Sequence, residues 1–142
     1  LPWQGFTKDS AGKLHLAGTE QPHISVTHSG RWAMAILHPC GPAGIDLEKI
    51  GPRLLRVAPR FLSAGEHQVA GRDLHRLAFY WCAKEAVYKW YGKRQLSFKT
   101  HIQVQYRPGS QSHAATIASP DYSARLQLWH MQVHGHMAVW CI

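Results

Sequence analysis

Two acidic residues, Asp46 and Glu48, stand two apart in the run AGIDLEKI (Ala43–Ile50). Side chains alternate along an extended strand, so both carboxylates share one face while Ile45 and Leu47 share the other. Paired carboxylates are a common way to hold a hard cation such as Mg²⁺, which takes oxygen ligands and usually combines a few carboxylates with water and substrate phosphates. About 35 residues further on, WCAKEAVYKWYG (Trp81–Gly92) carries a third carboxylate, Glu85, with Lys84 and Lys89, among Trp81, Val87, Tyr88 and Trp90. A surface helix normally keeps its charges apart from its aromatics. Interleaving them puts this helix at the border of a binding site, or puts its charges on the rim of a core. Each signal alone also describes ordinary structure. Glu85 and Lys89 have the spacing of a solvent-facing i,i+4 pair worth a few tenths of a kcal/mol, and Asp46 and Glu48 the look of edge charges.

The elements that must position these groups are legible nearby. The first twenty residues read as loop or edge structure. HISVTHS (His23–Ser29) alternates like a half-buried strand, SGR signals a turn, and WAMAILH (Trp32–His38) is a second strand, so the two form a hairpin. PCGP is a loop before the strand that carries Asp46 and Glu48. RLLRVAPRFL has a helical apolar pattern that Pro59 is expected to kink or divide. SAGE (Ser63–Glu66) has capping-box spacing for a short helix. Asp73 is the N-cap of a long helix from about Leu74 to Tyr91, with Gly92 just past its C-terminus. Three β-like runs follow, HIQVQY, RLQLWHMQV and HMAVWCI, separated or flanked by turns at PGSQ, SPDY and HGH. Strands, then helices, then antiparallel strands make an α+β fold.

The chain's 142 residues suit one domain with a real core. No apolar run approaches the roughly 20 residues that cross a bilayer, and LPWQGFTKDS lacks the basic, apolar and small-residue pattern of a signal peptide. With no initiator Met, the chain is expected to be a processed or partial version of something longer. Three scattered cysteines, Cys40, Cys82 and Cys141, form no C-x-x-C and favour a reducing, cytoplasmic setting over a disulfide framework. The formal net charge of +8 suits polyanions: nucleic acid, a phosphate-rich cofactor or an acidic protein. There is no G-x-S-x-G, P-loop or dinucleotide fingerprint.

Taken together, the two acidic motifs are specific. GIDLE (Gly44–Glu48) followed by WCAKEAVYK (Trp81–Lys89) resembles the two signature motifs of the 4′-phosphopantetheinyl transferases, roughly G-[IV]-D-x-E and [FW]-[SCT/A]-x-K-E-[AS]-x-x-K, at every specified position. HISVTHSGRW (His23–Trp32) is similar to the phosphate-contacting segment of the larger, Sfp-type members. Those enzymes activate carrier domains of peptide and polyketide synthases and many carrier proteins of fatty acid biosynthesis. The short trimeric holo-acyl-carrier-protein synthases usually lack that segment.

The resemblance runs from about Gly12 to the C-terminus, and it implies that family's fold, an antiparallel sheet packed on a long helix. Sfp-type enzymes are pseudo-dimers with coenzyme A between two lobes. Residues 1–30 would then end an N-terminal lobe and residues 31–142 form the C-terminal lobe. Either the chain is incomplete or a homodimer replaces the missing lobe. It further implies Mg²⁺ held by Asp46, Glu48 and Glu85, phosphate contacts from Lys84, Lys89, His28 and Thr27, and Lys13 near the nucleotide end. Glu85 would act as base, directly or through a metal-bound water, with Lys89 as its catalytic companion. The implied reaction is of the holo-[acyl-carrier-protein] synthase type. Phosphopantetheine moves from coenzyme A to a serine of an apo acyl carrier protein or peptidyl carrier domain, with neither nucleic acid nor membrane as partner. The other ten histidines read as surface or turn residues, and Cys82 as a small packing residue. One departure is GKRQLSF, with Arg94 and Gln95 where the family usually has glycine. The rival from another class is a non-catalytic basic module that binds a carrier protein or nucleic acid.

Overall fold

A computed structural model describes residues 4–19 and 22–142. A short hairpin comes first, β1 (Phe6–Lys8) against β2 (Leu14–Leu16). Asp9 closes its turn by accepting the backbone N–H groups of Ala11 and Lys13, each at 2.9 Å. The loop or edge reading of this region is thus met by edge strands, and its remainder, residues 1–3 and 20, lies outside the described residues. β3 (His23–Ser29) and β4 (Trp32–His38) then pair antiparallel from His23↔His38 to Ser29↔Trp32. The lobe boundary expected between residues 30 and 31 falls in the turn of this hairpin, so the strands on its two sides are one hydrogen-bonded unit.

The main sheet has the order β5-β9-β8-β7-β6 and is antiparallel throughout. Its strands are β5 (Gly44–Lys49), β6 (Ile102–Gln105), β7 (Ser112–Ser119), β8 (Tyr122–Val133) and β9 (His136–Cys141). Between β5 and β6 the chain forms α1 (Arg53–Phe61), α2 (Ala64–Ala70) and α3 (Leu74–Tyr91). The core lies between these helices and the sheet, with Leu77, Ala83 and Val87 of α3 meeting Ile117, Leu128 and Val139. Burying each large aliphatic side chain contributes about 1.5–3 kcal/mol. The expected α+β architecture is therefore the observed one. Among the described residues, no helix is long and apolar enough to cross a membrane.

Local signals placed the helices well. Asp73 accepts the N–H groups of His75 and Arg76, and Gly92 ends α3 in the left-handed region at φ 66°. Ser63 and Glu66 form the reciprocal capping box. Pro59 does not divide its helix: α1 runs through it to Phe61. The helix carries the cost of one backbone bond, since Pro59 has no N–H to donate to Leu55 O.

Two further expectations fail. β7 gave no strand signal because SHAATIAS is rich in alanine and serine, which have little β-propensity. The histidines are not all surface or turn residues, since His113 is 0% and His136 7% exposed. His113 accepts Arg107 N–H at Nδ1 (2.9 Å), which places its own proton on Nε2, 2.9 Å from His130 Nδ1. It stacks against Tyr106 at 5.1 Å, so its ring packs as an aromatic with both nitrogens bonded.

Candidate active site

Helix α3 rests directly on the start of β5 because Gly44 has no side chain. A Cβ there would collide with the carbonyl oxygen of Ala86 and come within 2.8 Å of Trp90 N. By period two, Asp46 and Glu48 occupy this same helix-facing side of β5. The structure thereby brings the strand carboxylates under the helix that carries Glu85 and Lys89.

Asp46 is 7% exposed, and its Oδ1 accepts from Lys89 Nζ at 2.8 Å and from Thr27 Oγ1 at 3.2 Å. Lys89 Nζ also donates to Ile45 O at 2.9 Å. Glu48 accepts from Arg53 Nη1 at 3.3 Å. Burial pushes its carboxyl above the usual range, opposed by Arg53 and reinforced by Asp46. Glu85 receives no hydrogen bond from a described residue. Burial first, then the Asp46 carboxylate, pushes it up to about 7, with Lys89 pulling the other way. Burial likewise holds the Cys82 thiol well above its ordinary value, with Asp46 and Glu48 adding to it, and Sγ donates to Met137 O. Cys82 is thus an inert packing residue, as its motif position suggested.

Beside this cluster is a cleft of about 400 Å³ between the β1–β2 hairpin, β3 and the C-terminal end of α3. Four lysines line it: Lys8, Lys13, Lys89 and Lys93. Lys13 Nζ donates to the carbonyls of Lys89 and Trp90, both at 3.1 Å, and so caps the free acceptors at the end of α3. Its burial lowers its pKa, and Asp9 opposes that. Gly92 leaves the room this needs, since a Cβ there would lie 2.5 Å from Lys13 Cδ. Lys8 and Lys93 carried no motif; the only hint of them was the basic composition.

Three expected phosphate contacts are placed otherwise. Lys84 is 0% exposed, and its ammonium donates to Phe61 O (2.8 Å), Phe98 O (2.6 Å) and Glu66 Oε2 (2.6 Å). All three of its protons are taken, so Lys84 is a core strut between helices and not a wall of the cleft. Glu66, read from the sequence only as a capping residue, also accepts Val104 N–H at 2.8 Å and joins α2, α3 and β6. Thr27 is likewise committed: its hydroxyl donates to Asp46 and accepts from Leu47 N. His28 lies on the opposite face of β3, exposed, and outside the walls of the lysine-lined cleft. Arg94 and Gln95 keep the chain path that glycine favours, because Gln95 holds φ at 75°.

The donor chemistry around Asp46 fits a hard cation. Asp46 and Glu48 act electrostatically on Glu85, whose carboxyl is raised by burial first and by these like charges after it. Among the described residues no three such side chains stand close enough to hold an ion as they are. Lys89 occupies the position against Asp46 instead.

Residues 42–141 match the profile described as the 4′-phosphopantetheinyl transferase superfamily. A Bacillus pumilus 4′-phosphopantetheinyl transferase is 31% identical over 128 residues, covering 84% of this chain and 52% of its own. The Bacillus subtilis 4′-phosphopantetheinyl transferase Sfp is 33% identical over 93 residues, covering 62% of this chain and 41% of its own. The chain thus spans about half the length of these relatives. In fold it is similar to a holo-[acyl-carrier-protein] synthase from Thermotoga maritima, with a TM-score of 0.55, 18% identity, and coverage of 70% of this chain and 61% of the other. With the matched profile taking in Asp46, Glu48, Glu85 and Lys89, the chain belongs to the 4′-phosphopantetheinyl transferase superfamily.

Proposed function

We propose that this chain forms the catalytic part of an enzyme that moves phosphopantetheine from coenzyme A to a serine of an apo acyl or peptidyl carrier protein. The observation that carries the reading is the Asp46–Lys89 pair, electrostatically coupled to Glu85 and Glu48, beside a cleft walled by four lysines. Coenzyme A brings a diphosphate and a further phosphate, and a lysine-lined cleft is suited to polyanions of that size.

In the transfer, the serine oxygen bonds to the β-phosphorus of coenzyme A. The bond from that phosphorus to the bridging oxygen breaks, and 3′,5′-ADP leaves. Asp46, Glu48 and Glu85 would hold Mg²⁺, which when bound neutralises phosphate charge and orients the diphosphate. Lys89 would turn its ammonium from Asp46 toward a phosphate oxygen. Lys8, Lys13 and Lys93 supply positive charge along the cleft for the nucleotide phosphates. Glu85 would accept the serine proton, directly or through a water. Positioning and charge neutralisation supply most of the rate in such transfers. The net charge of +8 favours docking of an acidic carrier protein.

The test is the intact mass of an apo acyl carrier protein after incubation with this chain, coenzyme A and Mg²⁺. A phosphopantetheine gain that EDTA and Asp46→Ala abolish supports the transferase. No gain together with no binding of coenzyme A ends the reading for this chain.

A further inference from the structure

Strands β3 and β5 lie side by side yet belong to different sheets, with no backbone ladder between them. Two hydroxyls bridge them instead. Ser25 Oγ accepts Ile45 N–H at 3.1 Å, and Thr27 Oγ1 accepts Leu47 N–H at 3.2 Å. These are the residues flanking Asp46, so the backbone of β5 is pinned on both sides of the carboxylate. Both hydroxyls are buried, Ser25 at 5% and Thr27 at 6% exposed.

The two differ in one respect. Among the described residues, only Thr27 also donates its proton onward, to Asp46 Oδ1 at 3.2 Å. The bond from Lys89 ends on that same oxygen, at 2.8 Å, so Oδ2 receives neither. A carboxylate fixed through one oxygen presents the other in a defined direction, as the hydrogen-bonded outer partners of metal ligands do.

We infer that Thr27 is a positioning residue for cation binding: its hydroxyl ties the Asp46 carboxylate to the β5 backbone and leaves Oδ2 available to a divalent ion. The inference rests on the cation reading given under the proposed function. It also separates Thr27 from its neighbour His28, which lies on the other face of the strand. A direct phosphate contact by Thr27 would need a hydroxyl proton that is already engaged.

The test measures binding of Mn²⁺, as a spectroscopic probe, to the full chain without coenzyme A. Thr27→Val removes the hydroxyl at nearly constant shape and is expected to weaken Mn²⁺ binding by about tenfold or more, within the range for outer-shell partners. Thr27→Ser keeps the hydroxyl and is expected to restore the affinity to within about twofold of wild type. Ser25→Ala is the control for mere strand-pinning, since it removes the twin backbone bond without touching Asp46. It should lower the melting temperature while leaving Mn²⁺ affinity in place. Should Thr27→Val not fold, Thr27→Ala is read in the same way. KM for coenzyme A should stay close to wild type in Thr27→Val while the Mg²⁺ requirement rises. Equal Mn²⁺ affinity in wild type and Thr27→Val overturns the positioning role alone. A raised KM for coenzyme A at unchanged Mn²⁺ affinity overturns it in favour of phosphate contact. Wild-type protein that takes up no Mn²⁺ removes the cation reading itself, and the positioning role with it.

Discussion

Replacing Lys84 by Met keeps most of the side chain's volume and removes its charge. The ammonium is fully buried and bonded to two backbone carbonyls and to Glu66 Oε2 at 2.6 Å. Its loss strands three acceptors at once: the carbonyls of Phe61 and Phe98, and a carboxylate that is 5% exposed. Glu66 keeps only the N–H groups of Ser63 and Val104. Burial already lowers the pKa of Lys84, and the Glu66 pair works against that, so the charge is tolerated only because it is partnered. Removing one member of a buried pair costs about 3–5 kcal/mol, because the other is left uncompensated. For a chain of 142 residues that corresponds to a melting temperature lower by roughly 10–20 °C. Circular dichroism melts and urea titrations of Lys84→Met, Glu66→Gln and the double variant read this directly. The double variant should recover much of the loss, giving a coupling of about 1–3 kcal/mol. If Lys84→Met melts like wild type but no longer binds coenzyme A, the lysine reaches phosphate and the strut argument is wrong.

Three other outcomes follow from the same geometry. Gly44→Ala drives a Cβ into the Ala86 carbonyl, a backbone atom that cannot swing aside; about 3 kcal/mol of stability should be lost, seen as a lower urea midpoint. For Glu85, burial and like charge raise the folded pKa to about 7 from an ordinary 4.5, so its contribution to stability is present below 4.5 and is lost as pH rises through 7. Glu85→Gln should therefore stabilise the metal-free protein at pH 8, by roughly 1–2 kcal/mol after allowing for partial exposure, while abolishing transfer; equal melting temperatures would sink this reading. For His113 the sign is opposite: burial depresses its folded pKa from 6.5 to about 4, so stability is full above 6.5 and declines as pH falls toward 4. The slope approaches 1.4 kcal/mol per pH unit, and since Glu85 opposes it in the same window, the check is whether His113→Gln flattens the acid limb relative to wild type.

The parts of the site that were legible in the sequence rest on spacing within one element. Period two put Asp46 and Glu48 on a single face, and the Asp73 and Gly92 caps bounded α3 to the residue. The Ser63–Glu66 capping box was readable for the same reason: donor and acceptor are three residues apart, and the bond forms whatever the rest of the chain does. The motifs also led to the family, whose profile over residues 42–141 takes in both of them.

What the spacing left open was which neighbour each polar group meets across the fold. Lys84 and Glu85 are adjacent in sequence, yet one is sealed in the core against Glu66 and the other is coupled electrostatically to Asp46, with no hydrogen bond from a described residue. Thr27 and His28 are adjacent too, and the strand sends one hydroxyl to Asp46 and one ring to the outer face. The alanine-rich β7 is a strand because β6 and β8 hydrogen-bond to both its edges, not because its residues prefer to be extended. Local preference amounts to tenths of a kcal/mol per residue, whereas burying an unpaired charge or an unpaired backbone group costs several. The sequence by itself therefore determined the helices, most of the strands, the caps of α2 and α3 and the facing of the acidic pair. The tertiary structure decided which of the charged and hydroxyl side chains line the cleft and which hold it together.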